Sequence, residues 1–281
     1  MGNRRASEAN TSIRNSTISA EMGLISKPVG PDGQITESLS RGFEVLRCFE
    51  DSDMRLSNLE LSQRTGLPKP TVSRLTYTLM VLGCLSYNET DGTYTLGAGL
   101  LTLARPLLSR TGIISIVKPA MERLAKETKC TVAIGQPAGL SIVYINVIRG
   151  ANRVNLDIGV GYTVPILYSA MGRAYMASLD SSEGTALATE LIRQYDVSAT
   201  EAKKTIKEST KMFNDLGYCR TLGELHPDVN AAAVPLFIPG RDEVLLLMCG
   251  GPGFLLTTEE IESTIGPQLA NIAKEFRSDD I

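Results

Sequence analysis

The sequence predicts an α+β protein of 281 residues, in which a small helical unit precedes a larger domain built on a mainly antiparallel sheet. Three observations support this prediction. Apolar residues recur at helical spacing through residues 36–82. Two short extended runs then flank Asp91-Gly92, a hairpin turn signal. Beyond residue 115, runs of predicted strands alternate with runs of predicted helices, as in α+β domains.

Composition places the chain among ordinary globular proteins. Hydrophobic residues make up 43% of it and charged residues 21%, and the mean hydropathy is +0.01. At this length we expect the core to split into two domains. No stretch reaches the roughly 18 uninterrupted apolar residues of a spanning helix, so no membrane is expected as a partner. The N-terminus has arginines but no apolar segment behind them, which predicts a cytoplasmic protein.

Cysteine and histidine usage excludes several kinds of site. Five cysteines stand singly without a CxxC pair, which favours reduced thiols over a disulfide framework. His226 is the only histidine, so a metal site with two imidazoles is excluded, and a Ser-His or Cys-His pair would have to use it. The sequence also has no HExxH, GxSxG, phosphate loop or GxGxxG motif. We therefore predict no metal, no cofactor and no catalytic residue.

Three helices are predicted in the small unit, each with its own start or stop signal. Ser38 can cap the first, and Ser57 with Glu60 has the spacing of a capping box for the second. Gly66 supplies the left-handed position that ends the second helix, and the third runs from about Pro70 to Leu82. Two helices around a tight turn, followed by a β-hairpin, are the pattern of a winged helix-turn-helix.

These signals divide the chain into four segments. We predict a disordered tail over residues 1–35, a winged helix-turn-helix over 36–97, a linker helix over 98–115 with a kink at Pro106, and a further domain over 116–281. In that domain the patterns predict strands at 131–136, 141–147, 153–158, 231–237 and 243–249, and helices at 118–128, 170–179, 184–194, 200–216 and from Thr258 onward.

The third helix has the residue types that contact DNA. A major groove about 12 Å wide admits one helix, whose N-terminal residues reach the base edges. Between Leu61 and Asn88 the charged residues are Arg64, Lys69 and Arg74, all positive, within a chain of net charge −3. We predict that Arg74 binds a guanine and Lys69 a phosphate. The whole predicted DNA-binding set is Arg41, Arg64, Lys69, Thr71, Ser73, Arg74, Tyr77, Thr78, Asn88 and Thr90.

Three alternatives stay open at this point. A three-helix packing unit with a solvated polar face shows the same residue types without binding DNA. A protein-interaction scaffold can use a winged helix as its dimerisation surface. A small-molecule enzyme can carry the small unit as a regulatory or dimerising module, although the catalytic motifs that would support this are missing.

Six ordered stretches closely resemble the IclR family of bacterial transcriptional regulators. They are LSRGFEVL at 39–46, TGLPKPTVSRL at 65–75, YTLG at 94–97, VPILYSAMGRA at 164–174, AAAVP at 231–235 and GGP at 250–252. The resemblance covers about residues 36–278. It implies a GAF-like effector domain that binds a small metabolite, and homodimers or homotetramers on a double-stranded DNA operator. Family members repress or activate genes for the catabolism of small organic acids and aromatic compounds.

The resemblance also implies where the effector binds. Carried over by position, the pocket is lined by Leu156, Val164, Ala170, Met171, Val229, Ala231, Met248 and Gly250. Ala231, Met248 and Gly250 lack the hydroxyl or thiol that some members direct at a small carboxylate, and the usual His and Lys are Tyr168 and Arg173 here. We therefore expect an effector larger or more apolar than a two- or three-carbon acid. Arg153 is either a solvent-facing strand arginine, which we favour, or a partner for the effector carboxylate.

Overall fold

A computed structural model describes residues 35–50, 53, 55–108, 111–151, 156, 158–195, 197–238 and 243–276. The chain forms two compact units, one ending at Thr111 and one beginning at Gly112, within the segment predicted as a linker. Apart from Ile35, the tail predicted for residues 1–35 lies outside the described residues, and so does Arg153. No helix in the described part of the chain is long and apolar enough to cross a membrane.

The first unit combines helices with a small antiparallel sheet. Its helices are α1 (Glu37–Arg47), α2 (Asn58–Thr65), α3 (Lys69–Val81) and α4 (Gly99–Leu108). Its strands are β1 (Leu56–Ser57), β2 (Leu85–Asn88) and β3 (Thr93–Leu96), in the spatial order β1-β3-β2. A helix-turn-helix, formed by α2 and α3, is thus followed by the β2–β3 hairpin, as predicted.

Local signals at both ends of α2 act as the sequence predicts. The Glu60 N–H donates to Ser57 Oγ at 3.3 Å, and the Ser57 N–H donates to the Glu60 carboxylate at 2.7 Å, which confirms the capping box. The Ser57 hydroxyl also donates to the Glu60 carboxylate at 2.7 Å, and this hydrogen bond, followed by the one from the Ser57 N–H, lowers the pKa of Glu60. Gly66 has a φ of +68°, the left-handed conformation that ends the helix and begins the turn to α3.

The start of α1 differs from the prediction. Thr36 is its N-cap, and Ser38 lies within the first turn instead of capping the helix. The Thr36 carbonyl accepts the N–H groups of Leu39 and Ser40, both at 3.1 Å, so the helix is already established one residue before the predicted cap.

The core of the first unit lies under one side of α3. Buried apolar residues from the helices and the hairpin form it: Val45, Leu56, Leu61, Val72, Leu79, Cys84 and Leu85. Val72, Thr76 and Leu79 are the buried residues of α3. The Thr76 hydroxyl donates to the Ser73 carbonyl at 3.1 Å, so the one polar group among them has a partner. The opposite side of α3 faces solvent.

The second unit is a six-stranded antiparallel sheet with helices on both faces. Its strands are β4 (Thr131–Ala138), β5 (Ser141–Ile148), β6 (Thr163–Pro165), β7 (Cys219–Leu222), β8 (Val229–Leu236) and β9 (Leu245–Pro252), in the spatial order β6-β5-β4-β9-β8-β7. Its helices are α5 (Thr111–Thr128), α6 (Ala170–Ser178), α7 (Ser181–Tyr195), α8 (Ala199–Leu216), α9 (Thr258–Glu260) and α10 (Gly266–Glu275). A π-helical turn, Ile261–Ile265, joins the last two.

Most predicted elements of this unit are confirmed, and three predictions were wrong or incomplete. Strands β6 and β7 were missed because three and four residues are too few to show an alternating pattern. The strand predicted at 153–158 falls mostly on residues that are not described, and its described members, 156 and 158, lie outside any strand. The boundary between the helices predicted at 98–115 and 118–128 was wrong, since α4 ends at Leu108 and α5 already begins at Thr111.

The sheet separates two layers of buried side chains. Leu245, Leu247 and Cys249 of β9 pack in the layer that includes α5 and α10, on what we term the α5 face. Leu246 and Met248 pack in the layer that includes α6, α7 and α8, on what we term the α6 face. Because neighbouring strand residues point to opposite faces, β9 is buried on both sides.

Candidate functional sites

The exposed side of α3 has a positively charged, hydroxyl-rich surface. Its exposed residues include Lys69, Ser73, Arg74, Tyr77 and Thr78, while Thr71 is half-buried. They recur at helical spacing opposite the buried Val72, Thr76 and Leu79, so one helix face holds them together. Among the described residues, neither the Lys69 ammonium nor the Arg74 guanidinium has an ion-pair or hydrogen-bond partner. Both cations are therefore available to an external anion.

Hydrogen bonds tie this surface to the helix before it. Ser73 Oγ accepts from Asn58 Nδ2 at 3.0 Å and donates to the Lys69 carbonyl at 3.0 Å. Asn58 is the first residue of α2, and the sequence analysis did not identify its role. Its contact with Ser73 links the first turn of α2 to α3, which stabilises the presentation of the exposed face.

The two arginines predicted to flank this surface are already paired. The Arg41 guanidinium binds the Glu37 carboxylate one turn earlier in α1. The Arg64 guanidinium binds the Asp53 carboxylate and donates to the Cys48 carbonyl at 2.7 Å. The hydrogen bond from Arg64 lowers the pKa of Asp53, which keeps that carboxylate ionised. Both arginines would have to give up a partner to bind phosphate.

The wing is the turn between β2 and β3. The Asn88 carboxamide shapes it, because Oδ1 accepts the Thr90 N–H at 2.9 Å and Nδ2 donates to Asp91 at 3.2 Å. Arg55, which the sequence analysis did not single out, donates to the Asp91 carboxylate at 2.5 Å. The pairing of β1 with β3 places β1 beside the hairpin, and the long Arg55 side chain spans the remaining distance to the wing. Of the two predicted wing residues, Thr90 is exposed and Asn88 serves the turn itself.

The α6 face gathers the pocket residues that the resemblance implies. Ala231 pairs with Gly250 across β8 and β9, and Val229 precedes Ala231 by two residues, so all three share this face. Leu156, Val164, Ala170, Met171 and Met248 belong to the apolar layer on the same face. Eight of the nine predicted residues therefore lie on one side of the sheet, and the ninth, Arg153, is outside the described residues.

Two methionines fill the space above two glycines on this face. A Cβ at Gly250 would lie 3.0 Å from Met248 Sδ, and a Cβ at Gly135 would lie 2.7 Å from Met171 Sδ. Methionine side chains are unbranched and adopt several conformations at little cost, so they can move aside when another molecule enters. The α6 face thus contains an apolar floor, formed by these glycines and by Ala231, that is covered by movable side chains.

Comparison with known proteins decides the family. The family model described as bacterial transcriptional regulator IclR C-terminal matches residues 106–273, and the IclR helix-turn-helix domain matches residues 38–89. The chain belongs to the IclR family. It is accordingly a DNA-binding transcriptional regulator with an effector-binding domain, and its second unit has the family's GAF-like fold.

Named relatives extend over nearly the whole chain. The HTH-type transcriptional regulator TsaQ1/TsaQ2 of Comamonas testosteroni is 28% identical over 247 residues, which are 87% of this chain and 88% of that protein. An IclR family transcriptional regulator of Brucella abortus has a crystal structure that is 37% identical, with a TM-score of 0.74 and coverage of 88% and 93%. An IclR homolog of Microbacterium hydrocarbonoxydans, crystallised with 4-hydroxybenzoate, is 18% identical with a TM-score of 0.65 and coverage of 86% and 99%, and it shares the fold.

Arg173 and Tyr168, which the sequence resemblance compares with a Lys and a His, lie at the start of α6 and just before it. The Arg173 guanidinium binds the Glu224 carboxylate in the β7–β8 loop. Tyr168 is half-buried, and its burial raises its pKa. Between them, Ser169 caps α6, since its Oγ accepts the Gly172 N–H at 3.0 Å and donates to the Pro165 carbonyl at 2.7 Å. The beginning of α6 is therefore held firmly over the sheet.

Proposed function

We propose that this IclR-family regulator binds a specific double-stranded DNA operator as a homodimer or homotetramer, and that an organic or aromatic acid from a catabolic pathway controls this binding. The exposed face of α3 is the observation that carries the proposal, because its cations Lys69 and Arg74 have no ion-pair partner among the residues that the structure describes. Repression and activation use the same two domains, so both outcomes are compatible with it. The bacterial chromosome lies in the cytoplasm, which is where the regulator would act.

The proposed DNA contacts differ in strength. Arg74 can present two parallel N–H donors to a guanine, and Lys69 can neutralise a phosphate. Thr71, Ser73, Tyr77 and Thr78 surround them on α3, and Thr90 extends from the wing. Arg41, Arg64 and Asn88 contribute less, because each already has partners inside the unit. Arg74 and Lys69 are thus the main determinants of operator affinity.

The proposed effector class follows from the floor of the α6 face. Ala231, Met248 and Gly250 offer no hydroxyl, thiol or charge, so a two- or three-carbon acid would leave most of its polar groups without partners there. A planar aromatic ring instead buries apolar area against the alanine and the glycine. The 4-hydroxybenzoate in the related crystal structure is a ligand of this class, and we propose the same class for this chain.

Control by the effector requires that it bind two conformations of the regulator with different affinities. The operator-binding conformation is then favoured or disfavoured by that difference, and the coupling acts equally in both directions. We propose that the segment from α4 to α5, which leads from one unit into the other, changes the spacing of two winged helices on a pseudo-palindromic operator.

Two measurements test the proposal. Fluorescence anisotropy with DNA from upstream of the protein's own gene should show specific binding that weakens steeply between 50 and 200 mM salt, as phosphate contacts predict. Thermal-shift measurements should show stabilisation by 4-hydroxybenzoate or benzoate and none by glyoxylate or pyruvate. If the anisotropy showed no specific binding at low salt, the DNA-binding part of the proposal would be contradicted. Stabilisation by glyoxylate or pyruvate alone would contradict the effector class.

A further inference from the structure

One threonine on the α6 face stands apart from the apolar residues around it. Thr131 is the first residue of β4 and pairs with Gly250 of β9, while Ala133 pairs with Met248. Paired residues point to the same side of a sheet, so the Thr131 side chain lies on the α6 face beside Gly250. Nothing in the local sequence pattern around Thr131 marks this residue as different from its neighbours.

Within the described residues, the Thr131 hydroxyl is buried without a hydrogen-bond partner. The residue is 1% exposed, and its Oγ1 has no hydrogen bond within the part of the chain that the structure describes. Three other hydroxyls of the same unit show the usual arrangement: those of Thr128, Ser169 and Ser209 donate to backbone carbonyls at 2.7 to 2.8 Å. A buried hydroxyl without a partner destabilises the folded state, so its presence calls for a separate explanation.

The neighbours of Thr131 supply that explanation. Gly250 has no side chain, and the Met248 thioether occupies the space above it, 3.0 Å from where a Cβ would be. When Met248 moves aside, a space opens above Gly250, and the pairing of Thr131 with Gly250 places the Thr131 side chain next to that space. From β4 across β9 to β8 the floor extends for roughly 10 Å, which accommodates one aromatic ring with a polar group directed toward β4.

We propose that Thr131 is an effector-binding residue, whose hydroxyl forms a hydrogen bond with an oxygen of an aromatic acid lying over Gly250 and Ala231. This inference rests on the proposed function, because it uses the same face and the same ligand class. It adds the polar group that the apolar floor lacks. It also assigns Met248 the role of a cover that occupies the site until the effector displaces it.

The first test requires no effector. Thr131→Val keeps the side-chain shape and removes the hydroxyl, so we expect the melting temperature of the full-length chain to rise by about 2 to 4 °C. The matched control is Thr128→Val, three residues earlier, which removes a hydroxyl that donates to the Leu124 carbonyl at 2.8 Å and should lower the melting temperature. If Thr131→Val lowered the melting temperature as much as the control does, the Thr131 hydroxyl would have a structural partner, and the proposal would be overturned.

The second test measures binding of 4-hydroxybenzoate and of benzoate by isothermal titration calorimetry. We expect Thr131→Val to raise the Kd about tenfold, which corresponds to one hydrogen bond, and Thr131→Ser to stay near the wild-type Kd. Thr128→Val should bind like the wild type. If Thr131→Val weakens the binding of 4-hydroxybenzoate alone, Thr131 contacts the ring hydroxyl. If it weakens the binding of both compounds equally, Thr131 contacts the carboxylate. Wild-type Kd values in Thr131→Val for both compounds would overturn the proposal.

The effector class and the role of Thr131 can be refuted separately. If neither compound binds the wild type, the proposed effector class is wrong. The melting temperatures of Thr131→Val and Thr128→Val still show whether the Thr131 hydroxyl has a partner within the folded protein. If both compounds bind the wild type and Thr131→Val equally well, the proposed function stands and the role of Thr131 is refuted.

Discussion

The surfaces proposed for recognition in the two units are built in opposite ways. The surface proposed to bind DNA lies on one helix, α3, whose polar side chains point outward from a core that the same helix helps to form. The surface proposed to bind the effector is assembled from β4, β8, β9 and α6, with residues as far apart in sequence as Thr131 and Gly250. The first surface is exposed and charged, and the second is buried and apolar. The surface on α3 is thus a local property of the sequence, whereas the α6 face depends on how the strands pair.

The largest expected effect is on the charged surface. Replacing Lys69 and Arg74 together by alanine should reduce operator affinity by about 100-fold or more at moderate salt, because a bidentate guanine contact contributes about 1–3 kcal/mol and one phosphate contact is lost as well. Anisotropy titrations at several salt concentrations measure both the affinity and the decrease in salt dependence. The double variant Lys203→Ala/Lys207→Ala, at exposed positions of α8, is the control and should bind as the wild type does. If the Lys69→Ala/Arg74→Ala variant bound the operator as tightly as the wild type, α3 would be excluded as the DNA-binding surface.

The buried face should respond to volume instead of charge. Gly250→Val places a branched side chain where Met248 Sδ now lies within 3.0 Å of a Cβ position, so it should weaken binding of 4-hydroxybenzoate by about tenfold or more. Gly250→Ala adds one methyl that the flexible methionine can accommodate, and it should show a smaller decrease. Calorimetric titration gives the Kd of each variant relative to that of the wild type. Equal Kd values for the wild type and Gly250→Val would place the effector elsewhere.

Two glycines of the first unit test how much of its stability is local. Gly66→Ala forces a side chain into a φ of +68° and should destabilise the helix-turn-helix by about 1 kcal/mol. Gly42→Ala, in α1, is the matched control, because a Cβ there meets nothing within 4 Å and alanine favours helix by about 1 kcal/mol. Hydrogen exchange of the α2 and α3 amides measures the change. Faster exchange in both variants would mean that the conformation of Gly66 is not the cause.

The smallest expected effect is a pH dependence in the second unit. Burial lowers the pKa of His226 below 6.5, so the unfolded chain takes up a proton at a higher pH than the folded chain does. The folded state, in which His226 is neutral, keeps its full stability above pH 6.5. Its free energy of unfolding decreases as the pH falls from 6.5 through the pKa of His226 in the folded state. The melting temperature should therefore decrease by about 1 °C between pH 7.5 and 5.5. His226→Gln should remove this decrease, and the same slope in both proteins would assign it to other groups.

Sequence alone predicted the first unit well because its signals are short. The capping box of Ser57 and Glu60, the left-handed Gly66 and the exposed face of α3 each involve residues within a few positions of one another. What escaped prediction there were contacts between elements, such as Asn58 with Ser73 and Arg55 with Asp91. These contacts join residues 15 and 36 positions apart, and no local pattern reports them.

The second unit shows where such prediction ends. Family resemblance named eight residues that share the α6 face, but it could not identify Thr131, whose significance comes from its pairing with Gly250. The register also shifts within the β4–β5 pair, since Ile134 pairs with Asn146 and Gly135 with Tyr144. An irregularity of this kind changes which side chains are neighbours without leaving a signal in hydrophobic periodicity.

The sheet of the second unit also acts as a partition. A molecule on the α6 face lies against one side of β4, β8 and β9, while α5 packs against the other side through Met121 and Leu124. Because strand side chains alternate between these sides, each described side chain of β4, β8 and β9 belongs to one layer or the other. Any influence of the effector on α5 is therefore transmitted by a displacement or a change of twist of the strands themselves. A substitution that stiffens these strands would abolish the effect of the effector on operator affinity and leave both binding sites intact.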